Sequence, residues 1–242
     1  MKYNSLILIA CLLVCRAFGQ GAGITPTAGW VDPALSHNML LQQKNGDGVY
    51  KLIGTYKVIG NCFLFEERLK GDMFAPDEKG YNISLSYNTY NQQVEFYSTA
   101  NPDRALVKQP GDVDSFIIHE NIEMGIATPL KFVYGSILST SDKAYYQELY
   151  NGKRFSLYKK YKSDLDYVST NYIQSELRQF NLSYDYYYYD SQKRQLKKIK
   201  KNISSITKEF KDVKDLSPVM DDKSFDIDPE NVMKKAFTYL NS

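Results

Sequence analysis

Tyr81-Asn82-Ile83-Ser84-Leu85-Ser86-Tyr87, followed by Asn88-Thr89-Tyr90-Asn91 and then Val94-Glu95-Phe96-Tyr97, is the stretch from which the fold can be read. Apolar and aromatic residues alternate with polar ones at period two, which places Tyr81, Ile83, Leu85 and Tyr87 on one face of an extended strand. The Asn-rich tetrapeptide is turn chemistry, because Asn tolerates left-handed backbone, and Val94–Tyr97 returns as the partner strand. The same rhythm runs from about residue 49 to residue 162. It predicts further strands at 51–59, 69–74, 105–108, 115–119, 131–139, 144–150 and 154–161. Asn151-Gly152, between the last two, is a hairpin signal because both residues accept positive φ. Short strands bounded by Asn, Gly, Asp and Pro, without a βαβ rhythm, predict a mainly β fold: an antiparallel sheet, sandwich or barrel-like body.

The end of the chain changes period. Tyr184-Asp185-Tyr186-Tyr187-Tyr188-Tyr189-Asp190 reads as a strand, Ser191-Gln192-Lys193 as a turn, and 195–200 as a further strand. Asn202 can cap a helix carrying Ile203, Ile206 and Phe210. Asp228 and Pro229 make an N-cap and N1 pair for a last helix to about Leu240. Val232, Met233, Ala236, Phe237 and Leu240 fall on one stripe of that helix, the pattern of a helix docked on a core. The expected organisation is a leader at 1–19, an N-terminal extension at 20–48, an antiparallel β domain at 49–200 and short C-terminal helices at 201–242.

The leader sets the compartment. Lys2 precedes an apolar run from Leu6 to Val14, and Ala17-Phe18-Gly19 puts small residues before Gln20. This is the anatomy of a cleavable secretory signal, too short to span a bilayer. Ala10-Cys11 offers the alternative of an acylated cysteine, but the apolar run continues through it. Cleavage after Gly19 leaves 223 of the 242 residues. It also removes Lys2 and Arg16, so the remaining chain balances at 28 basic against 28 acidic residues. The expectation is an exported protein, periplasmic or extracellular, peripheral to the outer membrane if it is surface-bound. No global charge calls for nucleic acid, and no second apolar run is long enough to span a membrane. Cys62 remains as the lone thiol, which precludes an intrachain disulfide and reads as a small buried hydrophobe.

Several stretches in this order carry a resemblance: Gly60-Asn61-Cys62-Phe63-Leu64-Phe65-Glu66-Glu67, the 85–96 hairpin, Tyr145-Tyr146-Gln147-Glu148-Leu149-Tyr150-Asn151-Gly152 with Leu157-Tyr158-Lys159-Lys160-Tyr161, and the tyrosine-to-lysine end. Across most of the mature chain the sequence resembles exported proteins of Bacteroidota that have no established activity. The resemblance implies an extracytoplasmic β-rich protein with a helical end, and implies no catalytic residues.

The residues themselves offer little chemistry. His37 and His119 are the two histidines, and His119-Glu120 could supply a base only if it left the usual surface role. There is no Gly-x-Ser-x-Gly elbow, His-Glu-x-x-His pattern or phosphate loop. Glu66, Glu67 and Asp72 could pair for glycoside hydrolysis, although adjacent glutamates are usually solvated. Asp112-x-Asp114 lacks the remaining ligands of a calcium loop, and Asp226-x-Asp228-x-Glu230 is better explained by helix capping. No catalytic residue, metal or cofactor is therefore expected.

Composition points to binding instead. The chain has 21 Tyr against one Trp. Tyrosine covers apolar surface while its hydroxyl stays wet, which suits either a sheet tiled with tyrosine or a stacking platform for glycans or proteins. Residues 190–214 hold nine Lys/Arg and three acids, and 215–230 hold six acids and one lysine. Tyr186, Tyr188, Lys197, Lys198, Lys200 and Lys201 form the candidate binding surface, unless the lysines fold back on the acidic loop. The expected partner is another envelope protein or an anionic or glycan surface; an envelope hydrolase is the alternative.

Overall fold

In this computed structural model the described residues are 42–44, 50–52, 57–98, 101–108, 111–168 and 177–242. The leader, most of the N-terminal extension and His37 lie outside them, as do the expectations placed there. Strands β1 (Gln42–Lys44) and β2 (Tyr50–Leu52) pair as a separate antiparallel ribbon. The remaining strands are β3 (Lys57–Ile59), β4 (Leu69–Phe74), β5 (Lys79–Asn88), β6 (Gln93–Ser98), β7 (Asn101–Lys108), β8 (Ser115–Ile118), β9 (Leu130–Tyr134), β10 (Tyr145–Tyr150), β11 (Phe155–Val168), β12 (Leu177–Asp190) and β13 (Gln195–Ile199). They form one eleven-stranded sheet in the order β13-β12-β11-β10-β9-β8-β4-β5-β6-β7, with β3 added beside β12. Three helices follow: α1 (Ile203–Phe210), α2 (Asp222–Ile227) and α3 (Pro229–Asn241). Among the described residues no helix is long and apolar enough to cross a membrane.

The mainly β class holds, with one departure from an all-antiparallel sheet. β3 runs parallel to β12, pairing Leu177–Gln179 with Lys57–Ile59. The predicted 51–59 strand is divided between β2 in the ribbon and β3 in the large sheet, and one further strand and one turn also differ. The predicted 131–139 strand stops at Tyr134 and passes into a single 3-10 turn, Gly135–Leu138, closed by Ser139 at a left-handed φ of 57°. The β10–β11 connection spans Asn151–Arg154, and neither Asn151 nor Gly152 has positive φ. Gly152 is needed for space: a Cβ there would stand 2.4 Å from Asn241 Nδ2 and 2.5 Å from Phe155 O.

The inward face of the sheet is continuous from β6 to β13, because period-two alternation keeps register across each ladder. Leu69, Met73, Leu85, Tyr87, Val94, Phe116, Phe132 and Tyr145 fill its first core. Tyr87 touches three rings there, with centroids 5.3 Å from Phe116, 5.4 Å from Phe132 and 5.8 Å from Tyr145. These neighbours lie on strands well separated from β5, so the sheet is curled. Tyr81 leaves the alternation and is exposed, since Asn82 takes a φ of 52° and the β4–β5 register shifts between Gly71 and Met73.

The second core lies on the same face under the helices. Phe155, Leu157, Tyr186, Tyr188 and Ile199 from the sheet meet Ile206, Phe210, Leu216, Phe225 and the whole α3 stripe. Each helix starts as its sequence dictates: Asn202 accepts from Ser205 N at 2.8 Å, Asp221 from Ser224 N at 2.8 Å and Asp228 from Asn231 N at 2.9 Å. Asn241 then latches the end of α3 to the β10–β11 turn, accepting from Arg154 N and Phe155 N and donating to Phe155 O.

Phe237 is fully buried, against Phe210 and Tyr188. Phe237→Ala should therefore lower stability by about 3–5 kcal/mol. Ile227→Ala, at a side chain 85% exposed, should leave the urea unfolding midpoint within error of wild type.

Candidate functional site

β12 and β13 decide where the expected binding residues sit. Their register sets Tyr186 opposite Ile199, Tyr187 opposite Lys198 and Tyr188 opposite Lys197. Tyr186 and Tyr188 consequently point inward beneath the helices and are only 2% and 5% exposed. They are core residues and not a stacking platform, because α1 and α3 cover the face they occupy. Tyr187 and Tyr189 tile the opposite face with Tyr146 and Tyr158.

The four lysines divide in the same way. Lys197 lies 3.5 Å from Glu209, which also accepts a short hydrogen bond from the Tyr188 hydroxyl. Burial and that carboxylate push the Tyr188 phenol well up. Lys198, on the opposite face, pairs with Asp185 at 2.7 Å, which raises its ammonium above the ordinary lysine value. Lys201 donates to Tyr184 O and stands 3.8 Å over the Tyr184 ring. Lys200 is exposed and, among the described residues, makes no ion pair; the same is true of Lys193, Arg194, Lys208 and Lys211. A ridge of five solvated cations thus follows the β12–β13 turn, the start of α1 and its end, with Asp212 exposed beside it. The acidic segment does not meet this ridge. Asp221 and Asp228 cap helices, Asp215 accepts from Ser217 N at 3.0 Å, and Glu230 points to the sheet.

Glu230 leads to a feature that pattern reading missed. Lys159 shares the inward face with Leu157 and Tyr161, an unusual place for a lysine. Its ammonium lies 3.1 Å from Glu230 and 4.3 Å from the Tyr184 ring centroid, with Tyr161 and Tyr186 farther out. Burial alone would lower its pKa, but Tyr161 and Glu230 outweigh burial and hold it above the ordinary value. The signal was present in the inward parity of position 159; the partner on α3 was not legible locally.

Beside this pair opens a cleft of about 430 Å³ between the 124–130 loop, β10 and the first turns of α3. Gln147, Glu148, Glu230 and Lys234 supply its polar lining, and Phe65, Met124, Ile126 and Leu149 much of its apolar wall. Glu148 pairs with Lys131 at 3.2 Å, and Glu230 accepts from Lys234 at 3.0 Å as well as from Lys159. Gln147 Oε1 accepts from the Tyr161 hydroxyl at 3.0 Å.

The carboxylates singled out for catalysis are not brought together. Glu66 and Glu67 are exposed, whereas Asp72 accepts from Asn82 N at 2.9 Å and lies 3.1 Å from His119 Nε2. His119 therefore works with Asp72 and not with the exposed Glu120. Among the described residues no group of three or more His, Cys, Asp or Glu side chains could hold a metal ion. Cys62 is fully buried, and burial followed by the nearby Glu95 pushes its thiol up to about 12, which makes it a poor nucleophile.

No protein-family model, curated protein or solved structure matches the chain.

For Asp72, the hydrogen bonds from Asn82 and His119 outweigh desolvation and hold the carboxyl below its ordinary 3.8. A depressed folded-state value stabilises the fold above the unfolded value, and that contribution is lost as pH falls through the folded one. Acid titration of unfolding midpoints should show a steeper loss below about pH 4 in wild type than in Asp72→Asn. Equal slopes would mean the contacts of Asp72 do not favour its ionised form.

Proposed function

We propose that this protein is an exported, non-catalytic β-rich protein of the cell envelope that holds an anionic surface through its basic ridge. The carrying observation is the set of five exposed cations, Lys193, Arg194, Lys200, Lys208 and Lys211, that make no ion pair among the described residues. The half-buried lysines of β11, Lys159 on the inward face and Lys160 on the opposite one, are each matched to a carboxylate, Glu230 and Asp142. Exposed cations without ion-pair partners among the described residues contribute a local positive potential available to an anionic lipid or polysaccharide. Lys197 and Lys198, on the edge strand β13, also discourage edge-to-edge pairing, a role that needs no ligand.

The alternative, an envelope hydrolase, draws on Glu148 and Glu230 lining one cleft. Each carboxylate is already held within 3.2 Å of a lysine ammonium, an arrangement that favours binding over proton transfer.

The five ridge residues changed together to glutamine should release the protein from isolated envelopes at low salt, with the circular dichroism spectrum retained. Raising ionic strength from about 0.1 M to 1 M, which shortens the Debye length from about 10 Å to 3 Å, should release wild type equally. Envelope binding that ignores both changes would remove the ridge from the account.

A further inference from the structure

We infer that the cleft bounded by the 124–130 loop, β10 and α3 is a second binding site, and that its ligand is a neutral glycan segment. At about 430 Å³ it lies in the size range of small-ligand sites, about 300–1,000 Å³. Its polar groups decide the ligand's charge. Glu148 is already paired with Lys131, and Glu230 with Lys159 and Lys234. An anionic ligand would meet the Glu230 carboxylate, and a cationic one the Lys234 ammonium, both of which line the cleft. Either would have to break an existing pair and leave a partly buried charge uncompensated, which is costly. A hydroxyl avoids that conflict, because it accepts from an ammonium and donates to a carboxylate at the same time.

Gln147 adds direction. The residue is only 7% exposed, yet it lines the cleft. Its Oε1 is occupied by the Tyr161 hydroxyl, and its Nε2 has no hydrogen-bond partner among the described residues. With Oε1 committed to Tyr161, the amide nitrogen is the group Gln147 has left for a ligand in the cleft, and a ring or hydroxyl oxygen of a sugar is a suitable acceptor. Met124, Ile126 and Leu149 provide an apolar wall for the C–H faces of a pyranose ring. A chain of alternating hydroxyl and C–H surface therefore matches the lining better than a charged ligand.

The test is calorimetric titration of the full chain, at about 0.5 M salt to silence the ridge. The probes are neutral hexasaccharides of glucose (α- and β-linked), mannose and xylose, an acidic oligogalacturonate and a neutral Gly-Ser peptide. At least one neutral hexasaccharide should bind. Gln147→Leu should weaken it about tenfold, the size expected for one lost hydrogen bond. Ala127→Trp, at an exposed loop position, should abolish binding by filling the cleft without touching the core. The five-glutamine ridge variant should bind the same sugar as wild type does, which separates a failure here from a failure of the ridge. No binding of any neutral hexasaccharide, preference for the acidic sugar or the peptide, or affinity unchanged in both cleft variants would overturn the inference.

Discussion

The side chain of Gln92 joins strands that lie four places apart in the sheet, and the curl of the whole body depends on it. Its Oε1 accepts from the Tyr87 hydroxyl at 2.6 Å and from Tyr145 N at 3.2 Å. Its Nε2 donates to Thr89 O at 2.7 Å and to Tyr161 O at 3.0 Å. Both acceptor and both donor sites of the carboxamide are thus used. The group stands where a backbone rung between Tyr145 and Tyr161 would otherwise fall, at the point where β10 begins. Thr89 completes the seam: its carbonyl accepts from Ser163 N, and its hydroxyl meets Ser163 Oγ and Cys62 O. With β5 pinned to β10 and β11, the rings of Tyr87, Phe116, Phe132 and Tyr145 are enclosed and the first core becomes dry.

The seam also shapes the cleft. Tyr161, whose carbonyl accepts from Gln92, uses its hydroxyl to orient Gln147, two residues along β10 from Tyr145. On the same inward face, Lys159 draws in Glu230 and so fixes the start of α3, while Asn241 fixes its end. The β11–β12 ladder, fourteen residues in continuous register, carries both cores on one face and passes rigidity from the seam to the helices. The cleft is therefore walled on two sides by an ordered strand and helix, β10 and α3, which favours holding a ligand without reorganising.

Much of the local structure was legible because it rests on local physics. Leu69–Phe74 alternates Leu, Gly and Met inward and appears with the predicted bounds. Asn202, Asp228 and the stripe ending at Leu240 announced two helices, since capping and amphipathicity are properties of short windows. What was not legible depends on distant partners. Nothing within Lys57–Ile59 specifies parallel pairing with Leu177–Gln179. Alternation in 184–189 assigned tyrosines to two faces but could not say which face the helices would cover, so Tyr186 and Tyr188 read as surface. Lys159 breaks the apolar pattern of its face, and only Glu230, seventy-one residues away, makes its burial tolerable. Gly152 looked like a turn glycine, whereas its role is to make room for Asn241.

The central claim is that one carboxamide holds the sheet closed, and amide hydrogen exchange on Gln92→Leu tests it most directly. Tyr145 N and Ser163 N should lose protection relative to wild type, because the first loses its acceptor and the second depends on the seated Thr89 carbonyl. Amides of the β12–β13 ladder, which do not touch the seam, should keep theirs. Unchanged protection at Tyr145 and Ser163 would contradict the account, for it would mean that ring packing alone closes the sheet.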